Sequence, residues 1–307
     1  MSENWTTKNI PDMSGKVIII TGANSGIGYE SARELTRKGA EVIFASRDQV
    51  KAKDAMARIG NENTDARMKF IELDLASLDS IRKFTEEFKS AYPKLDILLN
   101  NAGIMMVPYG KTKDGFERTI GTNHLGHFAL TGLLMDRLST TPGARVVNVA
   151  SNAHYAGEMD FENLLFEDEH EYTPMKAYGR SKLANLLFTY ELQRRFQSSG
   201  LDVIALAAHP GISATNLANH LVFKQISWLI QPLMKLFFQS SAMGSLPSLR
   251  AAVDPEARGG MYYGPDGKGE KSGYPVVVSS NEASHDLQDA EKLWQISEKL
   301  TGISYLD

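Results

Sequence analysis

An α/β fold is predicted: a single domain built on one doubly wound parallel sheet with helices on both faces. Three observations carry this. Short runs rich in β-branched residues recur along the chain, and longer stretches of helical periodicity separate them. The least ordinary residues stand just after the runs. Repeated strand–helix–strand order gives a parallel sheet, because a right-handed crossover returns each strand beside the last. Ligands then bind beyond the carboxyl ends of the strands.

The first run, Lys16 to Thr21 (KVIIIT), is continuously apolar, as a strand buried on both faces must be. Glu41 to Ala45, Met68 to Leu73, Leu95 to Leu99, Arg145 to Val149 and Asp202 to Ala207 read the same way, and Pro275 to Val278 reads as a last strand. Helices are expected over Ile27 to Lys38, ended by Gly39, and over Leu78 to Ala91, which follows the N-cap residue Ser77. Two more are expected over Asn123 to Leu138 and Tyr178 to Phe196. In the second of these Leu183, Leu186, Leu187 and Tyr190 recur at helical spacing.

Composition bounds the function. The 307 residues suit one large α/β domain. Residues 1–14 read as a polar N-terminal extension without a secretory pattern, and 15–307 as the domain. A net charge of -4 leaves no surplus of cations, so no nucleic-acid partner is expected. With no cysteine, disulfides, thiolate metal sites and Cys nucleophiles are excluded, and a cytoplasmic location is expected. The most apolar later stretch, Leu221 to Phe238, is interrupted by Lys224, Gln225, Gln231, Pro232 and Lys235, so no integral membrane span is expected.

After the first strand comes Thr21-Gly22-Ala23-Asn24-Ser25-Gly26-Ile27-Gly28. Glycines permit a sharp strand-to-helix turn and a close backbone approach to phosphate, and the helix N-terminus offers free N–H groups to a pyrophosphate. The spacing Gly-x-x-x-Gly-x-Gly differs from the commoner dinucleotide fingerprint, yet the strand–glycine–helix context makes this a Rossmann-type nucleotide site. A tight turn serving only helix–strand packing is the alternative. An NAD site places an acid at the end of the second strand. Here that end carries Ser46 and Arg47, and a guanidinium pairs well with a 2′-phosphate. NADP(H) is therefore preferred to NAD(H), with Asp48 close by as the competing signal.

Further landmarks are Asn100-Asn101-Ala102-Gly103 after the fourth strand, Ser151 after the fifth, and Tyr178-Gly-Arg-Ser-Lys182. Together with the glycine loop they resemble the short-chain dehydrogenase/reductase superfamily, from about Gly15 to the end. Asp74-Leu75, Thr122-Asn123 and His209-Pro210-Gly211 fall at its other landmarks. Gly121-Thr-Asn-His-Leu-Gly-His-Phe128 and Ser181-Lys-Leu-Ala-Asn185 resemble the branch of retinol dehydrogenases, WW-domain oxidoreductases and protochlorophyllide reductases, which generally uses NADP(H).

Carbonyl reduction needs a hydride, a donor that holds the oxygen as charge develops, and a proton. Tyr178 and Lys182 are four residues apart, hence on one helix face. A phenol titrates near ~10, and a neighbouring ammonium favours phenolate, so Tyr178 is expected to exchange the proton with its pKa lowered by Lys182. The resemblance implies the other roles. Lys182 also holds the nicotinamide ribose, and Ser151 holds the substrate oxygen. Asn123 orders a water that relays protons to Lys182; its alternative is an N-cap. Asp74, Leu75 and Asn101 to Gly103 lie along the nucleotide. Pro210 and Gly211 close over the nicotinamide, and Thr215 reaches its carboxamide or the pyrophosphate. The familiar Ser-Ser pair reads Ala150-Ser151 here. His124 and His127 lack a third ligand, so packing roles and no metal are expected. Glu167 to Glu171 reads as a solvated acidic loop.

The resemblance places a substrate lid at about 212–245. Its apolar character points to a small apolar carbonyl or alcohol substrate. An oligomer interface and a weak peripheral membrane contact remain open for the same stretch. Dimers of the superfamily form through the helices bearing Asn123 and Tyr178, whereas some members of the branch are monomers. Three other readings share the scaffold: a non-catalytic NADP(H)-binding regulatory protein, a double-bond reductase and a sugar-nucleotide epimerase. The intact Ser151, Tyr178 and Lys182 oppose the first, the lack of cysteine opposes the second, and the small lid region opposes the third.

Overall fold

The computed structural model describes residues 4–212 and 239–306. The strands are β1 (Val17–Thr21), β2 (Glu41–Ser46), β3 (Arg67–Glu72), β4 (Ile97–Asn100), β5 (Ala144–Val149), β6 (Val203–Ala208), β7 (Tyr262–Pro265) and β8 (Pro275–Val278). They form one sheet of order β3-β2-β1-β4-β5-β6-β7-β8. All pairs are parallel except β7 with β8, which is antiparallel. The order reverses between β1 and β4, which opens a crevice at their carboxyl ends.

Alternation along the strands splits the apolar runs between two cores. Val17 and Ile19 face one side and Ile18 and Ile20 the other. Helices α1 (Gly26–Arg37), α2 (Gln49–Glu62) and α8 (Ser241–Val253) bury Ala32, Leu35, Ala55, Ile59, Leu246 and Leu249 in the second core. The first core takes Phe84 and Phe88 of α3 (Leu78–Ala91), Phe128 of α5 (Gly126–Leu133) and Phe188 of α7 (Pro174–Ser198).

Several expectations shift. The helix expected from Asn123 begins earlier, as α4 (Arg118–Ile120), and passes through a π-helical turn, Gly121–Leu125, into α5 and then α6 (Met135–Ser139). Asn123 therefore lies inside a helical run and is not an N-cap. Residues 4–14 do not trail as a free polar extension, since Trp5, Ile10 and Met13 are buried in the second core. A C-terminal helix, α9 (Leu287–Thr301), covers the outer side of α5 and α7. Trp294 lies 5.1 Å from Phe128 and 5.9 Å from Phe188, and Tyr305 lies 4.9 Å from Phe128. The two helices expected to carry a homodimer thus spend their apolar faces within the chain. Glu167 to Glu171 is exposed, as expected. Among the described residues no helix is long and apolar enough to cross a membrane. Leu221 to Phe238, the centre of the expected lid, lies outside the described residues, as does Thr215.

Gly28 shows how closely α1 must approach the sheet. A Cβ there would overlap the Gly22 carbonyl and the Asn101 amide. Gly28→Ala is expected to cost about 1–3 kcal/mol by overpacking a backbone contact. Urea unfolding checks this, and an unchanged midpoint would contradict it.

Candidate active site

The glycine loop is fastened at its base by one hydroxyl. Thr21 Oγ1 accepts from the backbone N–H groups of Asn101 and Ala102, each at 2.9 Å. It also lies 3.0 Å from His127 Nε2. His127 Nδ1 is 2.9 Å from the Asn123 carbonyl, which can only accept, so the ring proton sits on Nδ1. Nε2 is then an acceptor, and Thr21 donates to it. The Asn101 side chain adds a bond from Nδ2 to the Thr21 carbonyl at 2.8 Å. These contacts pin the carboxyl ends of β1 and β4 to the π-helical turn. Gly22 has φ +70° and Gly26 +58°, conformations that favour glycine. Ser25 occupies the N-cap of α1 without a side-chain capping bond. The first turn of α1, Gly26 to Gly28, follows Ala23 and Asn24, and its N–H groups have no partner within the helix.

At the end of β2, Ser46 is buried with its hydroxyl unpartnered, and Arg47 is exposed. Asp48 does not face this end as a free acid. It caps α2 by accepting from the Lys51 N–H at 3.0 Å, and its other oxygen is 3.0 Å from Lys51 Nζ. Asp74 similarly closes a turn, accepting from the Ala76 N–H at 3.1 Å, with Lys113 Nζ 3.5 Å away. Leu75 beside it is buried, and its carbonyl packs where a Cβ on Gly126 would stand.

The second half of the site is built on α7. Thr173 caps this helix by accepting from the Lys176 N–H, and Pro174 occupies its first turn. Lys182, one turn beyond Tyr178, is buried and donates to the Val149 carbonyl at 2.8 Å. Asn185 Nδ2 donates to the same carbonyl at 3.2 Å. Val149 ends β5, and Ser151 lies two residues further on. Its hydroxyl accepts from the Ala153 N–H at 3.2 Å, so Ser151 caps a short turn, and it stands near enough to the Tyr178 phenol to favour its ionised form. Lys182 Nζ is 5.6 Å from the Tyr178 ring centre. Gly103 closes the far wall, where a Cβ would stand 3.3 Å from Asn123 Oδ1 and 3.6 Å from Lys182 Nζ.

Asn123 is fully buried within the π-helical turn. Its Oδ1 accepts from the Ile104 N–H at 2.8 Å, and its Nδ2 donates to the Ile104 carbonyl at 2.9 Å. Nδ2 also donates to Ser181 Oγ at 3.0 Å, and Ser181 in turn donates to the Tyr178 carbonyl at 2.8 Å. Both amide N–H bonds are spent on protein, so only Oδ1 has a lone pair to spare. The amide links the β4 end to the turn of α7 that bears the tyrosine.

Electrostatics corrects one expectation. Burial pushes the Tyr178 phenol up from its ordinary value, and the Ser151 hydroxyl pulls it back in part. Lys182 is not among the influences that lower the phenol, and burial holds the lysine itself down to about 8. Partial removal from water disfavours the charged form of each group, and desolvation is the largest influence on both.

Sequence reasoning missed three groups. Arg180 is wholly buried and donates to the carbonyls of Glu158, Asn163 and Leu164, which anchors the long segment between Ser151 and Tyr178. Glu270 is the second, its carboxylate 2.9 Å from Nε2 of the buried His209. Pro210 and Gly211 follow at the carboxyl end of β6, and Gly211 has φ +66°. The Thr21 hydroxyl lies before the glycines and carries no motif of its own. His124 meets Ser297 Oγ at 2.9 Å, so both expected packing histidines pack. Among the described residues no group of three or more His, Cys, Asp or Glu is placed to hold a metal ion.

With this geometry in view, comparison with known proteins gives the family. The short chain dehydrogenase profile matches residues 16–225, and the chain belongs to that family. Retinol dehydrogenase 12 of Mus musculus is 42% identical over 302 residues, covering 97% of this chain and 90% of the relative. The polyprenol dehydrogenase of Homo sapiens is 40% identical over 302 residues, covering 95% and 87%. A crystal structure of an uncharacterized protein from Mycobacterium Paratuberculosis superposes with a TM-score of 0.82 at 40% identity, covering 99% of both chains. This is a dehydrogenase/reductase of the retinol dehydrogenase branch on a Rossmann-like fold.

The buried histidines set a pH dependence. Burial holds His124 and His209 down to about 3 and His127 to about 4. Unfolded, each titrates near ~6.5 and binds a proton that the folded protein refuses. Stability from these groups is therefore full above ~6.5 and lost as pH falls, with a limiting slope of about 1.4 kcal/mol per pH unit for each. Glu117 and Glu270, raised by burial, oppose this. Chemical unfolding is expected to show lower stability at pH 5.5 than at 7.5; equal or greater stability at 5.5 would contradict the argument.

Proposed function

We propose that this chain is an NADP(H)-dependent oxidoreductase that passes a hydride between nicotinamide and the carbonyl or alcohol carbon of an apolar small molecule. The observation that carries the reading is the meeting of Ser151, Tyr178 and Lys182 at the carboxyl end of β5, across a glycine-lined crevice from α1. Residues and cofactor fit. The α1 N-terminus and the turn from Gly22 to Gly28 suit a pyrophosphate. Ser46, with its unpartnered hydroxyl, and Arg47 suit a 2′-phosphate, while Asp48 is engaged elsewhere. Asp74, Leu75 and Asn101 to Gly103 line the adenine and ribose side, and Pro210 and Gly211 the nicotinamide side. The nicotinamide supplies the hydride when bound.

The chain's own groups handle the oxygen and the proton. Ser151 and Tyr178 hydroxyls hold the substrate oxygen as its charge develops. Tyr178 donates the proton in reduction and takes it back in oxidation. Lys182, held to the Val149 carbonyl, keeps cationic charge beside the phenol and orients the ribose. Asn123 fixes the turn that bears Tyr178, and the free lone pair of its Oδ1 is the point at which it can order a water for proton relay. Apolar character of the substrate is supported by the rim. Met106, Tyr155, Met175 and Ile212 are exposed, and each lies within four residues of Gly103, Ser151, Tyr178 or Gly211. The names of two relatives point to retinol and polyprenol, both apolar alcohols. The cysteine-free composition supports a cytoplasmic reading.

Tyr178→Phe is expected to lower turnover by on the order of 10²–10⁴-fold while NADPH binding, followed by fluorescence titration, persists. Turnover equal to that of the parent protein would remove Tyr178 from the mechanism. Arg47→Ala is expected to weaken NADPH by roughly 10- to 100-fold, the loss of one charged hydrogen bond, and NADH far less. The same titration with both nucleotides decides it, since a common loss would show that Arg47 does not read the 2′-phosphate.

A further inference from the structure

The loop between β7 and β8 carries an unusual residue. Glu270 has φ +54°, a left-handed conformation that glycine or asparagine adopts more readily, and Gly269 before it has φ +64°. Despite this backbone, the Glu270 carboxylate turns inward onto a wholly buried imidazole, His209, at 2.9 Å. Strained positions of this kind persist where the surroundings over-determine them, and they concentrate at functional sites.

The hydrogen bonds of His209 fix its tautomer. The Gly211 N–H donates to Nδ1 at 3.2 Å, so Nδ1 carries no proton. The ring is neutral because its burial opposes charge. Its single proton therefore sits on Nε2 and is donated to Glu270. Gly264 of β7 leaves room for the ring, since a Cβ there would overlap Nε2. The same loop holds the post-β6 turn by its backbone, with the Ile212 N–H donating to the Lys271 carbonyl at 2.8 Å. It also touches the serine turn, where Asn152 Nδ2 lies 3.4 Å from the Gly269 carbonyl.

We propose that Glu270 is a positioning residue for hydride transfer: through His209 it holds the Pro210–Gly211 turn, the wall on the nicotinamide side of the crevice, in register with Ser151 and Tyr178. This rests on the proposed function above. The Glu270 carboxylate bonds to His209 and not to Ser151, Tyr178 or Lys182. Its carboxylate satisfies the buried Nε2–H, the imidazole keeps its Nδ1 lone pair toward Gly211, and the left-handed Gly211 turn is fixed in turn. The Gly22–Gly28 turn and Arg47, which the proposed function assigns to the pyrophosphate and 2′-phosphate, follow β1 and β2, three and four strands away from β6 in the sheet. Loosening this turn therefore impairs the reacting geometry more than it impairs nucleotide affinity.

A glycine variant separates positioning from scaffolding. Glu270→Gly removes the carboxylate and relieves the backbone, so a purely structural role predicts no harm to turnover. Relief of the backbone offsets the loss of the partner to the buried Nε2–H, so positioning predicts a thermal midpoint close to that of the parent protein. It also predicts a kcat at saturating NADPH lower by on the order of tenfold, with the NADPH dissociation constant changed less than about threefold. Glu270→Gln, whose amide oxygen still accepts from Nε2–H, recovers most of the lost turnover. Should the glycine variant not fold, Glu270→Asn tolerates the same backbone with a side chain too short to reach His209, and it is read in the same way. Unchanged kcat in the folded glycine or asparagine variant overturns the proposal, and so does a glutamine variant as impaired as the glycine one. A parent protein that binds NADPH and turns over beside unaffected variants sinks this inference alone. A folded parent protein that binds no nicotinamide nucleotide sinks the proposed function and this inference with it.

Discussion

Two side chains of α7 grip one carbonyl at the end of β5. Lys182 and Asn185, three apart and hence on one helix face, both donate to Val149. This contact sets the helix against the sheet at a fixed height. Tyr178 sits one turn before Lys182 and Ser151 two residues after Val149, so the pairing of phenol and hydroxyl follows from where the carbonyl is held. A buried ammonium is costly and persists only with partners. Its position at the strand end brings charge to the crevice at the carboxyl ends of the strands.

The rest of the site is a set of fasteners around that contact. Thr21 and His127 lock the glycine loop to β4 and to the π-helical turn. Asn123, inside that turn, reaches across to Ile104 and Ser181 and so braces the tyrosine turn of α7. π-helical turns commonly stand at functional sites, because one extra residue re-aims the side chains that follow. Here the turn points an amide inward from a helix that otherwise presents Phe128 and Leu130 to the core. Burial, rather than pairing of unlike charges, dominates the titration of both Tyr178 and Lys182, which leaves a phenol raised and an ammonium lowered toward neutrality.

Much of this was legible in the chain, and the misses have physical causes. KVIIIT and RVVNV are unmistakable because a strand buried on both faces has no polar register to blur it. The strand ends shifted by a residue or two, as at Asp202, which lies outside β6, because the last ladder pair depends on the neighbour and not on local composition. Helix α2 was missed because its buried face is made of Ala52, Ala55 and Ile59, a weak apolar stripe among charges. Helix α9 was missed although its stripe of Ala290, Leu293 and Trp294 is helical in spacing, since its role is to cover α5 and α7, a tertiary fact. β7 is four residues long and contains Gly264 and Pro265, both poor strand signals. In the site, the residues that stand within recognisable spacings could be named from the chain. Thr21, Arg180 and Glu270 could not, because each acts on backbone or on a histidine distant in sequence and leaves no local pattern. Lowering of the Tyr178 pKa by Lys182 failed for a related reason: spacing gives proximity, and only the packed structure gives the desolvation that opposes it.

The central claim is that Lys182 on the Val149 carbonyl holds Tyr178 and Ser151 against the nicotinamide end of a nucleotide seated on the Gly22–Gly28 turn. A crystal structure of the protein grown with NADPH tests it most directly. The account predicts the nicotinamide beside the Tyr178 hydroxyl, the Lys182 ammonium on its ribose, and the adenosine 2′-phosphate at Arg47. A nucleotide bound with its nicotinamide away from Tyr178, or seated off the glycine turn, would contradict it.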